Sequence, residues 1–176
     1  MGYTRGRRIT HCPFCGCRYA AGTEWPRDCA GCGETSWANP LPVAVALQPV
    51  TTEAGKRGLV VVRRDVEPCR GQLAFPGGYI EVGETWQEGA VRELKEETGL
   101  DASAEQANLF DARSAVNTVD LFALLPVRAA EELPDPTATA EATEWLVLYE
   151  PVELAFPAHT SAMEAYFSHE QAALMS

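Results

Sequence analysis

The sequence has little positive charge and no long apolar run, and each absence narrows what the protein can be. Lys and Arg number 14 against 25 Asp and Glu, so the formal net charge is −11 at pH 7. A chain this acidic is a poor general ligand for nucleic acid. No apolar stretch approaches the roughly 18 residues of a membrane span, and no secretion signal is apparent. We therefore expect a soluble, cytoplasmic protein that does not bind membranes, and its charge disfavours binding to nucleic acid.

The remaining composition suits one main domain with a small appendage. The chain has 176 residues, of which 46% are hydrophobic, and this is enough for a sizeable core. From the motifs described below, we expect the small domain at residues 1–38 and the main domain at residues 39–176. A short basic arm at Arg5, Arg7 and Arg8 is more typical of a disordered terminus than of a binding element.

A helix rich in glutamate is predicted in the middle of the chain. Thr85 and Glu88 form the T-x-x-E pattern of a capping box at its start. Gly99 stands just past its last turn, where a left-handed C-cap residue is wanted. Between these signals, Ala90 and Leu94 fall at helical spacing on an apolar face. Local signals therefore define both ends of the helix.

Three carboxylates on this helix predict a divalent-metal site. Glu93, Glu96 and Glu97 stand at i, i+3 and i+4, so they share one face and repel one another unless a cation neutralises them. Hard oxygen ligands suit Mg²⁺ or Mn²⁺, which also hold substrate phosphates. Upstream, residues 75–78 form a glycine-containing turn that lets a backbone carbonyl approach a metal. A solvated acidic helix is the alternative, but it does not explain this turn.

Residues 78–100 resemble the Nudix box, G-x5-E-x7-R-E-U-x-E-E-x-G-U, where U is aliphatic. All fixed positions are matched, by Gly78, Glu84, Arg92, Glu93, Leu94, Glu96, Glu97, Gly99 and Leu100. The resemblance implies an α+β fold, namely a Nudix α/β/α sandwich with a mixed sheet. It also implies hydrolysis of a pyrophosphate bond in a nucleoside diphosphate linked to another moiety, with catalytic Mg²⁺ or Mn²⁺.

The resemblance further implies which residues hold the metal. Glu93 and Glu97 would bind it directly, and Glu96 would bind directly or through water. The Gly77 carbonyl would complete the protein ligands.

Other carboxylates and one arginine receive supporting roles from the same resemblance. Arg92 and Glu84 would orient the metal ligands. An activated water would attack phosphorus while a carboxylate takes its proton, which makes Glu96 and Glu97 catalytic candidates as well. A later carboxylate, Glu141 or Glu144, is expected as a further ligand or base.

Two C-x-x-C-G motifs near the start predict a zinc ribbon. The pairs are Cys12 with Cys15 and Cys29 with Cys32, separated by 13 residues. Four protein thiolates fill the coordination sphere of Zn²⁺, so the site should be structural. The glycine after each pair permits the turn that aims N–H groups at sulfur, and we expect a small hairpin between the pairs. Two disulfides or free thiols are the alternatives; nothing suggests the secretion that disulfides would need.

The rest of the chain predicts strands around two helices. The expected strands are residues 43–50, 59–63, 72–75, 104–110, 119–127 and 144–148. Residues 131–140 are expected to form a loop, and residues 161–173 a second helix.

The substrate is less well defined than the chemistry. Nudix proteins with an N-terminal zinc ribbon include NADH pyrophosphatases, which carry S-Q-P-W-P-F-P-x-S after the box; residues 111–119 here hold neither Pro nor Trp. This departure counts against the NADH/NAD pyrophosphatase alternative and leaves ADP-ribose, a nucleotide sugar or a similar compound. Phe75, Tyr79 and His159 are candidate substrate contacts, although aromatic side chains as often fill a core. A nucleotide-sensing regulator, a nucleic-acid-binding module and a homodimer remain open.

Overall fold

The structure is a computed structural model that describes residues 9–174, so the basic arm at Arg5, Arg7 and Arg8 lies outside the described residues. The chain divides into two compact units between Pro40 and Leu41. The strands are β1 Arg27–Asp28, β2 Thr35–Ser36, β3 Leu41–Leu47, β4 Pro49–Thr51, β5 Arg57–Arg64, β6 Leu73–Ala74, β7 Gly77–Tyr79, β8 Asn108–Ser114, β9 Thr118–Leu124, β10 Arg128–Ala129 and β11 Ala142–Leu148. The helices are α1 Trp86–Thr98 and α2 Pro157–Leu174, with short 3-10 turns at Ala104–Gln106 and Ala130–Glu132.

The first unit is built around its two cysteine pairs. Strands β1 and β2 pair antiparallel on either side of the second pair, and His11 bridges to Arg18 around the first. Gly16 and Gly33 follow the pairs with φ of 75° and 78°, as the motif predicts. The hairpins therefore form around each pair, whereas the sequence led us to expect one between the pairs.

The second unit contains two sheets, and each mixes parallel and antiparallel pairing. One sheet has the order β7-β3-β9-β8, with β3 and β9 parallel. The other has the order β10-β4-β5-β11, with β10 and β4 parallel and β6 paired to β5. The expected mixed sheet is thus present as two sheets.

Helices α1 and α2 cover opposite faces of these sheets. Along β3, Ala44 and Ala46 join the core that contains Leu94 of α1. The alternate residues, Val45 and Leu47, join the core that contains Met163, Tyr166 and Phe167 of α2. A strand reverses its side-chain direction at every residue, so one apolar strand can contribute to both cores. The layers confirm the predicted α+β fold with an α/β/α sandwich.

Two predicted strands have different bounds in the structure. The run at residues 43–50 is broken at Gln48 into β3 and β4, which belong to different sheets. Gln48 is buried, and its side chain donates to the carbonyls of Pro49 and Pro126 and accepts from Arg128. The segment predicted as a strand at residues 104–110 begins with a 3-10 turn instead, and β8 starts at Asn108.

Within residues 9–174, every helix falls short of the length and apolarity that a membrane crossing requires.

Candidate active site and metal centres

Helix α1 is defined by the caps that its sequence predicts. The Thr85 hydroxyl accepts from the Glu88 N–H, and the Glu88 carboxylate accepts from the Thr85 N–H, so the capping box is complete. At the other end Gly99 adopts φ 76° and its N–H donates to the Lys95 carbonyl. These caps determine the residues at which the helix begins and ends.

Arg92 is held at the centre of a carboxylate network. Its Nε and Nη2 donate to the two oxygens of Glu84 at 2.8 and 3.1 Å, a bidentate fork. Its Nη1 donates to Glu93 at 2.6 Å and to Glu96 at 3.1 Å. Nη2 also donates to the Tyr79 carbonyl at 3.0 Å, which ties the end of β7 to the helix. Hydrogen bonds to Arg92 lower the pKa of Glu84. The arginine therefore fixes the positions of the surrounding carboxylates.

Two of the three predicted metal-binding carboxylates are buried against the glycine turn. Glu93 is 8% exposed and Glu97 is 3% exposed, whereas the side chain of Glu96 is 59% exposed. The Gly77 N–H donates to Glu97 Oε2 at 3.2 Å. At Gly78, a Cβ atom would overlap the Glu93 carboxylate, so only glycine leaves it room. The turn and the helix thus bring Glu93 and Glu97 together.

The buried pair is suited to a cation. Burial raises the pKa of Glu97 to about 8, the charge of Glu93 adds to this effect, and the Gly77 N–H opposes it. Burial likewise raises the pKa of Glu93, against the opposing effect of Arg92. Two buried carboxylates whose pKa values are raised in this way supply hard oxygen donors that fit Mg²⁺ or Mn²⁺.

Glu141 and Glu144, the two later carboxylates expected near the metal, have different surroundings in the structure. After the larger effect of burial, the charge of Glu141 also raises the pKa of Glu93 and of Glu97, which places it near the pair. Glu144 instead lies on β11 and forms an ion pair with Arg63 at 2.6 Å. Of the two, Glu141 is thus the one whose charge acts on the buried pair.

Arg64 is a nearby cation that the sequence analysis missed. Its charge opposes the rise in the pKa of Glu97 that burial causes. Its Nε donates to the Pro68 carbonyl at 2.9 Å, and its guanidinium lies 5.1 Å from the centre of the Phe156 ring. The only sequence signal is its position at the end of an apolar strand, and that signal does not reveal how near Arg64 lies to Glu97.

The three candidate substrate contacts do not share one environment. Phe75 and His159 are both buried, and the Phe75 N–H donates to His159 Nδ1 at 3.2 Å. Burial lowers the pKa of His159 to about 3, so the ring is neutral. These two residues stack in the core, which corrects the expectation that either side chain contacts the substrate. Tyr79 is 53% exposed and is free to meet a ligand.

The four cysteines of the first unit form a second candidate metal centre. Their sulfur atoms all lie within 4.8 Å of one another, and none of the four forms a disulfide. Cys12 and Cys32 are 3.7 Å apart at sulfur, and Cys15 and Cys29 are 3.5 Å apart. Sulfur atoms bound to one zinc at about 2.3 Å would be separated by about 3.8 Å in a tetrahedron. The arrangement thus fits one Zn²⁺ ion.

Backbone N–H groups support this centre as predicted. The Phe14 N–H donates to Cys12 Sγ at 3.4 Å, and the Gly31 N–H donates to Cys29 Sγ at 3.3 Å. Hydrogen bonds from the backbone of Cys32 and Gly31 lower the pKa of Cys29 to about 6. The pKa of Cys12 is also lowered, whereas, against a backbone hydrogen bond from Glu34, burial and the neighbouring cysteines raise the pKa of Cys32 to about 12. Cys29 is thus the cysteine of the four that most readily supplies a thiolate.

Comparison with known proteins identifies sequence relatives of the second unit. The family model of the NUDIX domain matches residues 40–169. An ADP-ribose pyrophosphatase from Methanocaldococcus jannaschii is 44% identical over 60 residues, which is 34% of each chain. The chain thus spans about a third of the length of that relative. A dihydroneopterin triphosphate diphosphatase from Escherichia coli is 33% identical over 117 residues, covering 66% of this chain and 70% of the relative.

Solved structures show the same fold. A NUDIX hydrolase from Nitrosomonas europaea superposes with a TM-score of 0.70 at 21% identity, over 93% of each chain. The NUDIX domain of Shewanella oneidensis NrtR, in complex with ADP ribose, gives a TM-score of 0.59 at 17% identity, over 74% of this chain and 88% of that one.

Proposed function

The chain belongs to the NUDIX domain family, and from this membership we propose that it is a metal-dependent hydrolase. The substrate would be a nucleoside diphosphate linked to another moiety, cleaved at the pyrophosphate bond by attack of water on phosphorus. The observation that carries the proposal is the pair of buried carboxylates, Glu93 and Glu97, packed against Gly77 and Gly78 beneath the Arg92 fork.

The residues divide into those that would hold the metal and those that would position them. Glu93, Glu97 and the Gly77 carbonyl would bind Mg²⁺ or Mn²⁺, with Glu96 as a direct or water-mediated ligand. Such an ion, when bound, would withdraw charge from the phosphates and lower the pKa of a bound water. Arg92 keeps Glu93 and Glu96 within reach of the site, and Glu84 holds Arg92.

Exposed charges near the site would act on the substrate. Glu96 and Glu141 are exposed, so either carboxylate can take a proton from the attacking water and pass it to solvent. Arg64 is held through its Nε and its contact with Phe156, which leaves its terminal nitrogens to bind a phosphate oxygen.

The names of the relatives suggest two substrate types for this site. ADP-ribose and dihydroneopterin triphosphate both carry a pyrophosphate bond, and we propose a substrate of this kind. The missing Pro and Trp in residues 111–119 count against NADH as the preferred substrate.

We also propose that Cys12, Cys15, Cys29 and Cys32 hold one structural Zn²⁺ ion. The close approach of their sulfur atoms supports this. Free cysteines are consistent with a cytoplasmic protein, where thiols stay reduced.

A substrate panel tests the enzymatic proposal. ADP-ribose, dihydroneopterin triphosphate, NADH, nucleotide sugars and nucleoside triphosphates are incubated with Mg²⁺ or Mn²⁺, and products are quantified by chromatography. We expect turnover of at least one compound and its loss when EDTA is added. Tight binding of a nucleotide without turnover of any compound would instead indicate the sensing regulator.

A further inference from the structure

A row of four side chains crosses one face of the sheet β7-β3-β9-β8. Tyr79 lies opposite Val43, Val43 is the partner of Asp120, and Asp120 is the partner of Arg113. Residues paired in this way point to the same side of a sheet. Val43 packs against the core beneath α2, so the row lies on the α2 face. An exposed ring, an apolar side chain, a carboxylate and a guanidinium thus stand side by side.

Asp120 is buried without a partner. It is 7% exposed, and within residues 9–174 its carboxylate has neither a hydrogen-bond donor nor an ion-pair partner. The neighbouring Arg113 pairs with Asp111 at 2.6 Å instead. Arg113 Nε is itself buried and lacks an acceptor among the described residues. Buried polar groups are rarely left unsatisfied, so Arg113 Nε indicates a missing partner. The Asp120 oxygens are not among the fully buried, unsatisfied atoms of the described residues, so they keep some solvent contact and a ligand can reach them.

The row adjoins the proposed hydrolytic site through β7. This strand begins at Gly77, whose N–H donates to Glu97, and it ends at Tyr79, whose carbonyl accepts from Arg92. Gly78 faces Glu93, so its neighbour Tyr79 points to the opposite face. Strand β7 is at the edge of its sheet. A ligand that bends over this edge would place one end at the carboxylates and the other on the row.

We propose that this row binds the base of the substrate and selects a ring with two adjacent N–H donors. Tyr79 stacks on the ring, Val43 forms its apolar floor, and the two oxygens of Asp120 accept from the two donors. The inference rests on the proposed function, since it assigns the base of that substrate.

The Asp120 carboxylate determines which bases can bind, because it can only accept hydrogen bonds. A carboxylate only accepts hydrogen bonds, and it does so best from two donors side by side. The 2-amino-4-oxopyrimidine ring shared by guanine and pterins offers a ring N–H beside an amino group. Adenine places an acceptor nitrogen beside its amino group, and that nitrogen would face the second oxygen of Asp120. Two strand spacings, about 10 Å, separate Tyr79 from Asp120, which leaves room for a bicyclic ring.

Binding of nucleoside monophosphates tests the row without involving hydrolysis, because these compounds lack the anhydride bond. Calorimetry should show GMP binding at least tenfold more tightly than AMP. IMP, which keeps the ring N–H but lacks the amino group, should fall between them. Asp120→Asn should weaken GMP binding about ten- to a hundredfold and abolish the preference over AMP. Asp135→Asn, the same change in an exposed loop, should alter neither.

Binding of a pterin compound distinguishes guanine from pterins, the two classes of compound that contain this ring. Neopterin monophosphate binding more tightly than GMP assigns a pterin, and the reverse order assigns guanine. Tyr79→Ala, a change at an exposed residue that folding should tolerate, should weaken all bases by about tenfold through lost stacking.

The proposal is overturned if AMP binds as tightly as GMP and neopterin monophosphate. It is also overturned if Asp120→Asn, shown to be folded by circular dichroism, keeps the preference. Metal-dependent hydrolysis without base preference would defeat this inference alone, and base preference without hydrolysis would defeat only the proposed function.

Discussion

At the scale of single residues, the site depends on glycine at position 78. Its α-carbon lies against the Glu93 carboxylate, which Arg92 holds at 2.6 Å. Gly78→Ala should therefore lower the free energy of unfolding by about 1–3 kcal/mol through overpacking. In a Glu93→Ala background, where the obstructing carboxylate is gone, the same substitution should cost much less. Urea unfolding of the four proteins in this cycle measures the coupling, and equal costs in both backgrounds would contradict the assigned contact.

The burial of His159, also a property of a single residue, predicts how the free energy of unfolding depends on pH. Burial lowers its pKa to about 3 in the folded protein, against about 6.5 when unfolded. Between these values the unfolded chain binds a proton that the folded chain does not, so the contribution of His159 to stability is full above about pH 6.5 and falls as the pH is lowered. The loss from this residue should reach about 2 kcal/mol at pH 5.

Urea unfolding at pH 7.5 and pH 5 checks this expectation. The change in the free energy of unfolding between the two pH values should differ by about 2 kcal/mol between His159→Gln and the unmodified protein. Opposing contributions, such as that of Glu97 with its raised pKa, are common to both proteins. An identical loss in both proteins would show that His159 is not the buried, neutral group described above.

At the scale of elements, α1 is specified by its own sequence. Thr85→Ala removes the acceptor for the Glu88 N–H and should cost about 1 kcal/mol. Thr137→Ala, in an exposed loop, is the matched control and should change the free energy of unfolding little. Thermal unfolding monitored by circular dichroism compares the two; an equal effect of both would mean that the capping box contributes nothing.

The same element shows how far sequence could predict the fold. Both caps of α1 and the glycine turns of the cysteine pairs appear in the structure, because each signal involves residues a few positions apart. The break at Gln48 depends on partners at Pro126 and Arg128, far along the chain. No local pattern could show that β3 and β4 join different sheets.

The residues of the candidate site likewise fall into those that a local sequence pattern predicts and those that depend on distant parts of the chain. The box residues were predictable because their spacing on one helix places Glu93 and Glu97 together. Arg64 and Asp120 were missed because their positions depend on sheet register and on packing between distant segments. The burial of Phe75 and His159 was likewise set by α2, whose contact with the sheet has no local signature.

At the scale of the whole molecule, the two units should depend on different sources of stability. The first has a small buried cluster of Cys12, Tyr19 and Cys29, whereas the second has two apolar cores. A small domain of this kind draws much of its folding free energy from its metal. We expect one zinc per purified chain.

Cysteine variants check that expectation. Cys29→Ser should lose the zinc and expose residues 9–40 to proteolysis. Cys17→Ser, a change in the same unit outside the proposed ligand set, should keep the zinc. Zinc retained by Cys29→Ser, as measured by atomic emission, would refute the four-cysteine site.

Turnover of the best panel substrate by Glu97→Gln shows whether the buried carboxylates support metal-dependent hydrolysis. The matched control is Glu105→Gln, an exposed residue of the 3-10 turn Ala104–Gln106. At saturating substrate and Mg²⁺, we expect Glu97→Gln to lose at least a hundredfold in kcat, about 2.7 kcal/mol of barrier, while Glu105→Gln stays at the unmodified rate. Wild-type turnover by folded Glu97→Gln would rule out the proposed role of Glu97.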